Sequence, residues 1–304
     1  MIGIKNIGTY IPEKKISNFD RKEEFEIDDN FIVEKIGIQS VSRKEEEEET
    51  SDLCVKAFNA LMEKEDLNIE DLDIVVVVTQ NPDYNLPHTA AVVHKKLNLP
   101  ESVASFDISL GCSGFVYGLA AIESFMEMHG MENGLLFTAD PYSKIIDPKD
   151  KNTTLLFGDA ATVTWIGNNP IFNSGKFTFG TIGDSYEELI CTDDLYMNGR
   201  SIFNFAARYV PKDVEKVLEL NSKNKDKIDT FIFHQGSKKI SDTLIRRVGL
   251  EESKVPFDAT TYGNTVSSSI PIILEKFLDT NHKNILICGF GVGLSWASTI
   301  LTKN

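Results

Sequence analysis

Residues 110–128 read LGCSGFVYGLAAIESFMEM and residues 262–280 read YGNTVSSSIPIILEKFLDT. In each, a glycine precedes a chemically capable residue, Cys112 or Asn264, and a hydroxyl residue follows where a helical pattern opens. The surroundings repeat the same grammar. The run DIVVVVTQ (73–80) is echoed by DTFIFHQ (229–235), and GLLFTAD (134–140) by KNILICGFG (283–291). GLSWASTILT (293–302) closes the chain as LLFGDAATVTWIG (155–167) closes the first part, and SVASFDISL (102–110) adds a further strand-like run. Helical patterns lie between, at SDLCVKAFNALMEK (51–64), at HTAAVVHKKLN (88–98) and after Cys112. Strand-sized apolar runs alternating with helices of this length predict an α/β architecture. The repetition predicts two related halves, 1–170 and 171–304, packed about a pseudo-twofold axis that brings the two turns together.

Size and charge narrow the function. A chain of 304 residues can bury a large core, and 41% hydrophobic with 25% charged residues is ordinary globular composition. The net charge of −15 opposes general nucleic-acid binding, which needs a basic face. The acidic run Glu45–Glu49 reads as a solvated segment. Lys238, Lys239, Arg246 and Arg247 cluster, either as a solvated helix face or as a meeting point for an acidic partner or phosphate. The longest apolar runs, such as Ile74–Val78, are too short to cross a bilayer. The first residues, MIGIKNIGTYIPEKK, lack a signal-peptide layout, so the cytoplasm is the expected location. Cys54, Cys112, Cys191 and Cys288 stand far apart, which suits reduced thiols and implies neither a disulfide framework nor a metal site.

Three residues carry candidate chemistry. A helix N-terminus presents unpaired N–H groups and partial positive charge, so a thiol at Cys112 is expected to have a lowered pKa. A buried structural thiol is the competing reading. His234 ends a strand-like run, where open α/β sheets place ligands, although a histidine capping a loop would look the same. Asn264 is an ordinary turn or cap residue in isolation, and it gains interest from its alignment with Cys112.

With these residues in view, the sequence resembles the β-ketoacyl-acyl-carrier-protein synthase III family of thiolase-like condensing enzymes. The resemblance rests on GCSGF around Cys112, FGDAA at 157–161, MNGRSIFNFA at 197–206, HQGSKKI at 234–240, YGNTVSSS at 262–269 and GFGVGLSW at 289–296. It implies a five-layer αβαβα fold of two duplicated halves, a homodimer, and Cys112, His234 and Asn264 as the catalytic triad. It further implies an oxyanion hole from the backbone N–H groups of Cys112 and Val292, and Leu86 closing the acyl pocket of the neighbouring subunit. Acyl-coenzyme A or acyl-carrier thioesters are the implied substrates, acyl carrier protein is a partner, and no metal or redox cofactor is called for. Phe31, Lys35 and Lys151 fall where the family grips coenzyme A with a tryptophan and arginines. Ser237, Lys238, Lys239 and Arg246 fall in the carrier-contact region, where Ser237 and Lys239 replace an asparagine and an arginine. Ala160 replaces a glycine. These departures keep open a transferase that delivers the acyl group to an amine, alcohol or other carbon acceptor. A non-catalytic carrier-binding partner is disfavoured by the intact triad.

Overall fold

The computed structural model describes residues 2–304. Ten strands form one sheet. In the first half they are β1 (Ile2–Tyr10), β2 (Ile74–Val78), β3 (Ala104–Ile108), β4 (Asn133–Ala139) and β5 (Ala161–Asn168). They lie in the order β1-β5-β4-β2-β3, with β4, β2 and β3 mutually parallel and β5 antiparallel to both its neighbours. The second half supplies β6 (Phe172–Ser174), β7 (Thr178–Thr181), β8 (Thr230–Phe233), β9 (Asn284–Gly291) and β10 (Ser295–Lys303). There β8 runs parallel to β9, β9 antiparallel to β10, and β10 antiparallel to β6 and β7. The pairing of Ile4 with Phe172 joins the halves.

Side-chain alternation along the strands sorts the helices into layers. Val75 and Val77 point outward onto α1 (Thr50–Met62) and α2 (Thr89–Lys96), meeting Leu53, Ala57, Leu61 and Val93. Ile74, Val76 and Val78 point inward onto α3 (Gly114–His129), meeting Phe115, Leu119 and Ile122. In the second half, Phe231, Phe233 and Leu286 pack outward on α4 (Gly199–Leu220) and α5 (Lys238–Val248). Ile232, Ile285 and Ile287 turn inward onto α3 and α6 (Ser269–Glu275), joining Ile270 and Ile273 in one core. The stack is helix, first half of the sheet, helix, second half of the sheet, helix: the five-layer α/β fold implied by the resemblance. Because β2 is covered on both faces, all five of its residues are buried, and it reads as an unbroken apolar run.

Two expected elements are shorter than their patterns. The strand expected over 155–167 begins only at Ala161, because residues 155–160 form a turn beside the second half. There the Gly158 N–H donates to the Asn264 carbonyl and the Arg43 guanidinium to the Phe157 carbonyl. The helix expected to open at Asn264 is α-helical only at Ser269–Glu275, after a 3-10 turn at Val266–Ser268. Val266 has φ +53°, which an α-helix excludes, and after Glu275 the chain continues in i→i+3 turns.

Candidate active site

The two turns do converge. Cys112 and Asn264 each lie two residues before a helical segment, at Gly114 and at Val266, and His234 follows the last residue of β8. All three line one cavity of about 790 Å³. Each is at least 95% buried, at 5%, 4% and 5% exposure for Cys112, Asn264 and His234. The end of β9 passes directly over the cysteine. A Cβ built on Gly291 would stand 2.6 Å from the Cys112 Sγ, so only glycine leaves the sulfur room.

Each side chain is oriented by a specific partner. The Val266 N–H donates to Asn264 Oδ1 at 2.9 Å, which turns the amide NH₂ of Asn264 towards the cavity. His234 Nδ1 lies 2.8 Å from Ser269 Oγ, and that hydroxyl also reaches the Val266 carbonyl at 3.0 Å. Phe290 meets the imidazole edge-on, with ring centroids 5.6 Å apart. Val266 therefore orients Asn264 through its own N–H, and its carbonyl lies within reach of the Ser269 hydroxyl that holds His234. A β-branched residue pays for such a left-handed conformation in strain, here placed two residues after the carboxamide it orients.

Electrostatics corrects one expectation. Burial pushes the Cys112 thiol up to about 12, and the nearby Asp140 charge adds to this. The backbone N–H groups of Val292 and of Cys112 itself oppose the rise without overcoming it. At rest the Cys112 side chain is a neutral thiol, because loss of hydration outweighs the field of a helix whose first residue is Gly114. Burial drives His234 the other way, down to about 3, so its imidazole is uncharged at neutral pH.

The cavity mouth is cationic in an acidic protein. Phe31, Lys35, Lys151, Ser237 and Lys239 line it, as does Arg200. The Lys35 and Lys151 ammonium groups stand 4.7 and 5.2 Å from the Phe31 ring centre, and Lys239 lies 5.4 Å from that of Phe203. Lys35, Lys151, Arg200 and Lys239 make no ion pair with an acidic side chain among the described residues. Lys238 and Arg246 do not line the cavity. Lys238 is paired with Asp242, and Arg246 lies exposed on α5, bonded to the Asp242 carbonyl and the Thr243 hydroxyl. Leu86 is 88% exposed, on a loop outside this chain's own cavity. Sequence reasoning passed over Val266, Ser269 and Arg200. The first two lie in the YGNTVSSS motif and the third in MNGRSIFNFA, but no local pattern marks a backbone carbonyl or hydroxyl as an orienting group.

Comparison with known proteins places this arrangement. Residues 106–183 match the family model for 3-oxoacyl-[acyl-carrier-protein] synthase III, and residues 218–303 match the model for its C-terminal part. The β-ketoacyl-[acyl-carrier-protein] synthase III of Caldanaerobacter subterraneus is 35% identical, over 98% of this chain and 97% of that protein. The chain belongs to the β-ketoacyl-[acyl-carrier-protein] synthase III family. A solved 3-oxoacyl-(acyl-carrier-protein) synthase III superposes with a TM-score of 0.94 at 30% identity, covering 99% of each chain. The synthase III of Thermus thermophilus gives 0.92 at 32% identity, again over 99% of each chain. The five layers are thus those of the synthase III fold, and the chain is an acyl-transferring condensing enzyme. Both family models fall on segments that build the cavity: the first contains Cys112 and the second contains His234, Asn264 and Val292.

Proposed function

We propose that the chain takes an acyl group from a thioester onto Cys112 and condenses it with malonyl-acyl-carrier-protein. The observation that carries this reading is the convergence of a buried thiol, a neutral imidazole and an oriented carboxamide on one cavity with a cationic mouth. The mouth suits the phosphate of a pantetheine arm, whether on coenzyme A or on a carrier protein. Cys112 Sγ attacks the thioester carbonyl, and the N–H groups of Cys112 and Val292 receive the developing oxyanion. The carbon–sulfur bond of the donor breaks, and the proton of the Cys112 thiol ends on the departing thiol. No charged thiolate has to be stored beforehand.

Malonyl-carrier thioester then occupies the same cavity. His234 Nε2–H and the Asn264 NH₂ donate to its thioester carbonyl, so loss of carbon dioxide leaves a stabilised enolate. The enolate carbon attacks the acyl-cysteine, and the Cys112 sulfur leaves. This donor role requires the His234 tautomer with its proton on Nε2, in which the one Ser269 hydroxyl proton turns from the Val266 carbonyl to Nδ1. The chemistry needs no metal or redox cofactor. The edge strand β3 and the exposed Leu86 support a homodimer in which Leu86 reaches the partner's acyl site. No helix among the described residues is long and apolar enough to cross a membrane, which fits cytoplasmic work on carrier-bound substrates.

The experiment is to incubate the protein with acyl-coenzyme A and acyl-carrier thioesters and read the mass added at Cys112. Malonyl-carrier-protein is then added. Release of carbon dioxide with a β-keto product is expected. Acyl loss only when an amine or alcohol is supplied would instead assign a transferase to another acceptor.

A further inference from the structure

One buried carboxyl has no part in the chemistry above. Asp140 lies one residue past β4, fully buried, and makes no ion pair among the described residues. A carboxylate taken out of water without a cation has to be compensated by hydrogen bonds. Two donors reach it from different elements. The Gln80 N–H, two residues past β2, donates to Oδ1 at 2.7 Å, and the Ser267 hydroxyl donates to Oδ2 at 2.5 Å. These donors oppose a burial that lifts the carboxyl to about 6, so it is mostly ionised at neutral pH.

Ser267 belongs to the other half of the chain, inside the 3-10 turn Val266–Ser268. The three serines of YGNTVSSS have three separate anchors. Ser267 is tied to Asp140, and Ser269 holds His234 Nδ1. The Ser268 hydroxyl donates to the Thr138 carbonyl at 3.1 Å, with its oxygen 2.8 Å from the Thr138 hydroxyl. Thr138 and Asp140 stand two residues apart at the end of β4, so the first half grips this turn twice. Between the grip and Asn264 sits Val266, whose N–H orients the carboxamide. Its φ of +53° is one that a β-branched residue keeps only where its surroundings impose it.

We propose that Asp140 is a positioning residue for the condensation step: through Ser267 it holds the Val266–Ser268 turn in its strained form and so fixes the direction of the Asn264 carboxamide. The proposal rests on the donor role given to Asn264 above and adds the residue that stands behind it. Neither Asp140 nor Ser267 lines the cavity, so substrate meets neither. Removing the Ser267 hydroxyl takes a donor from Asp140 Oδ2 and one of two grips from the turn. Val266 is then freer to relax and Asn264 to turn. Cys112 stands on the opposite turn, and its acylation does not call on Asn264.

The test separates the two half-reactions in Ser267→Ala, in Asp140→Asn and in the double variant. Asp140→Asn keeps an oxygen for the Gln80 N–H but removes the anionic acceptor of Ser267. Each protein is acylated by an acetyl thioester and read by intact mass. Carbon dioxide release is then followed in a single turnover over a range of malonyl-carrier-protein concentrations. Acylation of Ser267→Ala should stay within about threefold of the wild type, while its saturating rate of carbon dioxide release falls about tenfold, since a group displaced by about 1 Å can lose a hundredfold. The half-saturating concentration should change by less than about threefold, because contacts at the cavity mouth are untouched. The double variant should lose no more than about twofold beyond the worse single one, because both substitutions break one link. Wild-type carbon dioxide release by acylated Ser267→Ala would overturn the proposal. So would equal losses of acylation and condensation, or single losses that multiply in the double variant. If Asp140→Asn does not fold, Ser267→Ala decides alone, with urea unfolding confirming its fold. These results leave the proposed acyl transfer standing, whereas a wild-type protein that no thioester acylates would sink that function and this inference with it.

Discussion

Replacing Gly291 by alanine isolates the closest approach in the site. The added Cβ would lie 2.6 Å from the Cys112 Sγ and 2.7 Å from the Cys112 Cβ, whereas non-bonded heavy atoms sit comfortably at about 3.5–4.0 Å. The sulfur could rotate away, but its own Cβ cannot, so the Cys112 turn and the end of β9 must separate by about 1 Å. Gly291 does not have a positive φ, so the effect is one of contact and not of backbone conformation. Overpacking of this kind costs about 1–3 kcal/mol of stability. A nucleophile displaced by about 1 Å from its reacting carbonyl loses about a hundredfold in rate, or roughly 2.7 kcal/mol of barrier. The assay is the single-turnover rate of Cys112 acylation by an acetyl thioester, read by mass, with denaturant unfolding in parallel. Gly183→Ala serves as the control, because a Cβ there meets nothing within 4 Å. If folded Gly291→Ala acylates within about twofold of the wild type, the account of how β9 frames the nucleophile is wrong.

Three further outcomes follow from the same geometry. His234→Ala and Asn264→Ala should still acquire an acyl group on Cys112 yet lose condensation by about a hundredfold or more, measured as carbon dioxide release; wild-type turnover in either would refute the donor roles. With the Cys112 thiol up at about 12, its alkylation by iodoacetamide should keep accelerating above pH 9, where an ordinary thiol has levelled off. Peptide mapping that finds a plateau for Cys112 near pH 8 would contradict the buried neutral thiol. His234 falls to about 3 in the folded state from an ordinary value near 6.5, so the unfolded chain binds the extra proton between those values and stability falls as pH is lowered through that window. From pH 7 to pH 4.5 this group contributes a loss of about 2–3 kcal/mol. Asp140 and Glu123, raised to about 6 and about 8 by burial, pull the other way. The measurement is therefore the difference between the wild type and His234→Gln in urea unfolding at the two pH values, and equal acid losses in both would sink the assignment.

Much of this protein was legible in one dimension. Residues 74–78 and 230–233 read as strands because period-two burial on two faces leaves a continuous apolar run, and α3 reads as a helix from its apolar spacing. The cysteine turn, its echo at Asn264 and the motif resemblance named the three side chains that meet in the cavity. Where reading failed, a distant contact had overridden a local pattern. Residues 155–160 carry a strand's composition, yet their backbone groups bond to Asn264 and Arg43 and leave the sheet.

Sequence alone determined most of the strands and helices, and it set a thiol and a carboxamide at matching helix starts and an imidazole at a strand end. Only the tertiary structure decided that Val266 in a left-handed conformation orients Asn264, that Ser269 holds His234, and that the thiol rests protonated. The reason is physical. Helix and strand patterns follow from neighbours along the chain, whereas desolvation and side-chain orientation depend on atoms brought near only when the two halves of the sheet close around their shared helices.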